Sequence, residues 1–156
     1  MNTFHKIGIK QGQAICYSGF RDGQQPGKAF PSYEEVKEDL NLLDGHWKYL
    51  RLYDCDKHAK TVLEVIENES FDFQVMLGAY IEAEKNNFNC PWDGGVYSIP
   101  QLEKNILSNQ KKIEKLIELG NQFPEIICAL SVGNEACVDW TDHYVPEDKV
   151  LNYVKQ

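Results

Sequence analysis

Glu135 follows the apolar run Ile126-Ile127-Cys128-Ala129-Leu130, separated from it by Ser131, Val132, the flexible Gly133 and Asn134. A carboxylate there stands at the exit of a strand apolar enough to be interior. Carboxylates are among the side chains least often buried without a partner. One partly withdrawn from water keeps its proton to higher pH, which suits a general acid near neutrality. Asn134 adds a carboxamide able to hydrogen-bond a substrate hydroxyl beside the bond being broken. Taken alone, the pair fits a loop cap equally well. Tyr17, Tyr53 and Tyr80 end three further apolar runs. Tyrosine joins a flat apolar face to a hydroxyl, which matches the alternating C–H and O–H surfaces of a pyranose ring. Each also suits the plainer role of a half-buried strand aromatic.

Other groups fit known chemistry less well. Asp139, Asp142 and His143 resemble a metal cluster, but their spacing matches no established pattern, so no bound metal is expected and hydrogen bonding within the loop is. A nucleophilic Cys137 or Cys16 needs a histidine base, and the sequence places none of His5, His46, His58 or His143 beside either. Gly94-Gly95 is not followed by Lys-Ser or Lys-Thr and reads as a turn rather than a phosphate loop. No cofactor is implied.

The elements that must position these residues alternate. A short strand over 14–17 leads into the Gly- and Pro-rich loop 18–31. Ser32-Tyr33-Glu34-Glu35 is a capping-box pattern, and Val36, Leu40 and Leu43 continue it as a helix ending near Gly45. A second strand spans 49–53. Asp54 or Asp56 caps a helix whose apolar face is Val62, Leu63, Val65 and Ile66. A third strand over 73–80 and the loop 82–100 precede a long helix from Leu102 to Leu119, with Gly120 as its stop. The fourth strand is 126–132, the loop 136–145 follows, and Pro146 opens a last helix at its first position. Four rounds of strand and helix predict parallel pairing through crossover helices. The long loops follow strands, the side on which α/β folds bind ligands.

The chain has 156 residues, 42% of them hydrophobic, and a net charge of −8. That is one domain with a sizeable core and no concentrated basic footprint, so nucleic acid is not an expected partner. No run of eighteen apolar residues occurs, and Met1 to Lys6 lack the order of a signal peptide. The default expectation is a protein off the membrane and in the cytoplasm. Five widely spaced cysteines without a Cys-x-x-Cys predict reduced, mostly buried thiols.

Four segments taken in order carry a resemblance. Tyr17-Ser18-Gly19-Phe20-Arg21-Asp22-Gly23-Gln24, Leu50-Arg51-Leu52-Tyr53, Met76-Leu77-Gly78-Ala79-Tyr80 and Ser131-Val132-Gly133-Asn134-Glu135-Ala136 resemble glycoside hydrolase family 17, across nearly the whole chain. The resemblance implies a (β/α)8 barrel and retaining action on β-1,3-glucan, by hydrolysis or glucan transfer. It implies Glu135 as acid/base and Asn134 as its hydroxyl-binding neighbour, with Tyr17, Tyr53, Tyr80 and Trp140 contacting a β-glucan or oligosaccharide. Trp92 and Trp140, on loops over the same face, are candidates for stacking on glucan rings.

One departure qualifies this. A (β/α)8 barrel needs eight units and about 200 residues or more, whereas 1–156 supplies four strands, the N-terminal half. Retaining chemistry needs a second carboxyl about 5 Å from the first, and in this family it lies on the seventh strand, which no residue here matches. A fragment of a longer enzyme, an excised half, and a half-barrel that self-associates through its exposed edges are the expectations. A carbohydrate-binding or assembly half-barrel without catalysis is the alternative reading.

Overall fold

The computed structural model describes residues 9–156. Met1 to Lys6, read above for an export signal, and with them His5, lie outside the described residues. Burial alternates along β1 (Ala14–Cys16), β2 (Tyr49–Leu52) and the first half of β3 (Gln74–Ala79), whereas β4 (Ile127–Val132) stays at least partly open along its whole length. Leu50, Leu52, Val75 and Leu77 are almost wholly buried, while Tyr49, Arg51, Gln74 and Met76 between them stay partly open. Successive strand side chains point to opposite faces, so one face of the sheet carries the core and the other does not. The strands pair in the order β1-β2-β3-β4, every pair parallel. They alternate with α1 (Tyr33–Leu43), α2 (Lys57–Asn68), α3 (Ile99–Gln122) and α4 (Glu147–Val154). The fold is half-barrel-like, as the strand–helix period predicts.

Helix starts follow the caps. Ser32 and Glu35 form the full capping box of α1. Asp56 caps α2 by accepting from the Ala59 N–H. Asp54, the other candidate, does something else: one carboxylate oxygen accepts from the N–H groups of Cys55 and Tyr80, and the other pairs with Lys112 of α3 at 2.9 Å. It ties β2 to the end of β3 and to the crossover helix.

Three expectations are corrected. Gly120 does not stop α3, which runs on to Gln122 with Phe123 as its cap; a Cβ at Gly120 would make ordinary van der Waals contact with Leu130 of β4 at 3.4 Å. Pro146 is the N-cap of α4 rather than its first residue, and it offers no side-chain cap bond. The thiols are free, but among the five only Cys55 is buried. Cys16 faces the uncovered side of the sheet, and Cys90 and Cys137 sit in loops. Burial pushes the Cys55 thiol up to about 12.

The uncovered face of the sheet borders a space of about 560 Å³ lined by Cys16, Tyr49, Arg51, Met76 and Ala129. Among the described residues, no helix is long and apolar enough to cross a membrane.

Candidate functional site

At the C-terminal ends of the strands, Tyr17, Tyr53 and Tyr80 border one cavity of about 270 Å³, together with Phe20, Asp54 and His58. The convergence expected of these tyrosines is present, but their hydroxyls differ. Tyr17 is nearly buried and donates its hydroxyl proton to Asp39 of α1 at 2.8 Å. Burial first, and that carboxylate second, hold the Tyr17 hydroxyl far above its ordinary pKa. It therefore faces the cavity as part of the wall, with its polar end engaged. Tyr53 projects into the open side, 40% exposed. Its pKa is raised, chiefly by the neighbouring Cys16 thiol. The Tyr80 hydroxyl lies 3.0 Å from His143 Nδ1, and burial raises its pKa.

Asn134 is the best-determined of the predicted site residues. Its side-chain oxygen accepts from Arg51 Nη2 at 2.8 Å, and its main-chain oxygen faces His143 Nε2 at 2.8 Å. With the oxygen engaged by a guanidinium, the Asn134 amide hydrogens are the part left to donate. The Arg51 guanidinium also sits 4.5 Å from the centre of the Tyr53 ring, a cation–π contact. Arg51 is thus the site residue that a search for catalytic side chains passes over. It lies within the Leu50–Tyr53 segment, but its partner is 83 positions away.

Glu135 is exposed, not the semi-buried carboxylate expected after an interior strand. β4 pairs only with β3 among the described residues, and the Glu135 side chain is left on the open side of this corner while Ala136 after it is buried. Glu135 also has φ of +54°. Left-handed backbone costs a residue with a Cβ roughly 1–2 kcal/mol, and such strain collects at functional positions. Glu135→Gly should therefore raise stability by about 0.5–1 kcal/mol in urea unfolding while removing the carboxyl. An equal loss would show that the conformation is not strained.

The acidic loop after Glu135 is held internally. His143 contacts Asp142 at 2.7 Å, Thr141 at 2.9 Å and the Asn134 carbonyl, while Asp139 offers its carbonyl to Asn87. Among the described residues, no three His, Cys, Asp or Glu side chains stand close enough together to hold a metal ion. Trp140, 43% exposed, packs against Trp92, 52% exposed.

His58 gives the cavity wall a pH dependence. It is buried against Tyr17 and Phe20, and its Nε2 accepts from the Gly19 N–H. Burial lowers its pKa to about 4, with Asp39 opposing. The folded value lies below the unfolded one, about 6.5, so its neutral form stabilises the fold above pH 6.5. That contribution, about 3 kcal/mol, is lost as pH falls from 6.5 towards 4. Thermal melts should show this loss in the wild type, and His58→Gln should flatten it over that window.

No family model matches this chain, and no curated protein does. Among solved structures it is similar to an endo-laminarinase from Formosa Hel1_33_131, with 29% sequence identity and a TM-score of 0.69 over 92% of this chain. The similarity covers 36% of that enzyme, so the chain spans about a third of its length.

Proposed function

We propose that this chain is the acid/base-bearing half of a glycoside hydrolase of family 17 acting on β-1,3-glucan by a retaining mechanism. The reading rests above all on one observation: Asn134 and Glu135 stand together at the end of β4, with Arg51 orienting the Asn134 amide and lying over the Tyr53 ring. The similarity to an endo-laminarinase supports it, since an enzyme so named cleaves laminarin, a β-1,3-glucan, within the chain.

In this reading Glu135 protonates the leaving glycosidic oxygen, and its carboxylate later takes a proton from the incoming water. The exposure of Glu135 on the uncovered face suits a proton donor awaiting a sugar and the remainder of a barrel. Asn134 donates to a ring hydroxyl next to the scissile bond, Tyr53 and Tyr80 line the ring's approach, and Tyr17 forms the cavity's back wall. The nucleophile, about 5 Å from the acid/base in retaining enzymes, comes from strands beyond these four. Binding is then expected of this chain without turnover.

A reducing-sugar assay on laminarin with the purified chain, run beside Glu135→Gln, tests the division of roles. No release from either supports it. Release that disappears in Glu135→Gln would mean that the second carboxyl is already present, through a second copy or a residue given no role here. Release unaffected by Glu135→Gln would remove Glu135 as the acid/base.

A further inference from the structure

Glu135 leaves the end of β4 through a corner with two left-handed residues, Gly133 at φ of +76° and Glu135 itself at +54°. Glycine takes that conformation freely, whereas a residue with a Cβ stays in it only when its surroundings over-determine it. Main-chain hydrogen bonds anchor the corner on both sides. The Gly133 N–H donates to the Ala79 carbonyl at 2.9 Å, which carries the β3–β4 ladder one residue past the strand, and the Val145 N–H donates to the Ala136 carbonyl at 2.8 Å. Between these anchors lies the Asn134–Glu135 peptide, and φ of Glu135 is the rotation about the bond next to it. The carbonyl oxygen of that peptide lies 2.8 Å from His143 Nε2. The Glu135 carbonyl, one peptide further on, accepts a longer bond from the Val138 N–H at 3.4 Å.

The surroundings of His143 suit it to this contact. A carbonyl oxygen can only accept, so Nε2 carries the ring proton and Nδ1 is left to accept in turn. Two hydroxyls reach Nδ1, Thr141 at 2.9 Å and Tyr80 at 3.0 Å, and Asp142 Oδ1 at 2.7 Å is its partner when the ring takes a second proton. The imidazole also lies against the Tyr80 ring, centres 4.7 Å apart, with its side chain only 14% exposed. Loop packing accounts for that burial. It does not account for a ring whose N–H is committed to the peptide that enters the strained residue.

We propose that His143 is a positioning residue for the acid/base: by holding the Asn134–Glu135 peptide it keeps Glu135 in the left-handed conformation and so sets the direction in which the carboxyl leaves the strand end. Because the same ring receives the Tyr80 hydroxyl, the ends of β3 and β4 are set together. This role rests on the functional reading given above.

Nuclear magnetic resonance and calorimetry on the wild type, His143→Leu, His143→Gln and Phe123→Leu test it. At φ of +54° the amide and α hydrogens of Glu135 are close to eclipsed, which produces a strong intraresidue Overhauser cross-peak. His143→Leu keeps bulk without a donor, and His143→Gln places an amide N–H where Nε2 stood. Phe123→Leu truncates a buried side chain at the other end of β4 and serves as a control for lost stability. The cross-peak should be present in the wild type and in His143→Gln and absent from His143→Leu. His143→Leu should also bind a β-1,3-gluco-oligosaccharide about fivefold more weakly, near the worth of one hydrogen bond. Phe123→Leu should melt lower and keep both the cross-peak and the affinity. In the wild type itself, nitrogen-15 shifts should report the Nε2–H tautomer of His143, a readout that needs no variant to fold. The Nδ1–H tautomer, a cross-peak that survives in His143→Leu, unchanged binding by His143→Leu, or an equal loss of affinity in Phe123→Leu overturns the positioning role and leaves the functional reading standing. Failure of the wild type to bind overturns the functional reading, and the role of His143 with it.

Discussion

Arg51→Met should leave the fold within about 1 kcal/mol of wild-type stability and weaken gluco-oligosaccharide binding by tenfold or more. The two halves of this expectation have separate causes. Arg51 Nε is buried and has no hydrogen-bond partner among the described residues. Leaving a buried donor unpaired costs about 1–3 kcal/mol, which offsets what the fold gains from Nη2 on Asn134 and from the contact over Tyr53. Methionine keeps the apolar stem and discards both the gain and the cost. Binding has no such compensation. Once the guanidinium is gone, the Asn134 carboxamide is free to turn, and a hydrogen bond to a charged group contributes about 1.5–3 kcal/mol, or one to two powers of ten in affinity. Urea unfolding and calorimetry on the same preparation separate the two. A variant that unfolds, or one that binds as the wild type does, would show that Arg51 is not a device for orienting Asn134.

The largest expected loss of stability follows from adding a single methyl group. Gly78→Ala puts a Cβ 2.7 Å from the Tyr53 carbonyl oxygen and 2.9 Å from that of Leu52. Both are main-chain atoms of the neighbouring strand, so no side chain can swing aside. Overpacking of this kind costs about 1–3 kcal/mol, and with backbone on both sides the upper end is expected. For a chain of this size that lowers Tm by about 6–12 °C. The strain falls between the ends of β2 and β3, where Tyr53 and Tyr80 leave the sheet, so binding should fall with stability. In Arg51→Met it falls without it. A Gly78→Ala protein with an unchanged Tm would mean that these strand ends are not held as closely as described.

The sequence carried the alternation of strand and helix plainly, because caps such as Ser32 with Glu35 and apolar runs such as 73–80 act over a few residues. It also held a signal about the tyrosines that their chemistry alone does not reveal. Counting by twos from Leu50 and Leu52 puts Tyr53 on the uncovered face, and counting from Val75, Leu77 and Ala79 does the same for Tyr80. Counting from Ile15 puts Tyr17 on the helix side, where it meets Asp39. The choice of Asp56 over Asp54 as cap, and the role of Arg51, were not legible in the same way. Asp54 takes its partners from β3 and α3, and Arg51 takes its partner from the end of β4. Contacts so distant in sequence leave no local pattern. The exposure of Glu135 was hidden for a related reason: an apolar strand reads as interior whether or not something covers both its faces.

The central claim, that the strand ends around Asn134 and Glu135 form a β-glucan site, is tested most directly by titrating a β-1,3-gluco-oligosaccharide into wild type, Asn134→Ala and Glu135→Gln by calorimetry. The account predicts saturable binding by the wild type, binding retained in Glu135→Gln, where shape and hydrogen bonding persist without the charge, and at least tenfold weaker binding in Asn134→Ala. Wild-type binding that Asn134→Ala leaves untouched, or no wild-type binding at all, would contradict it.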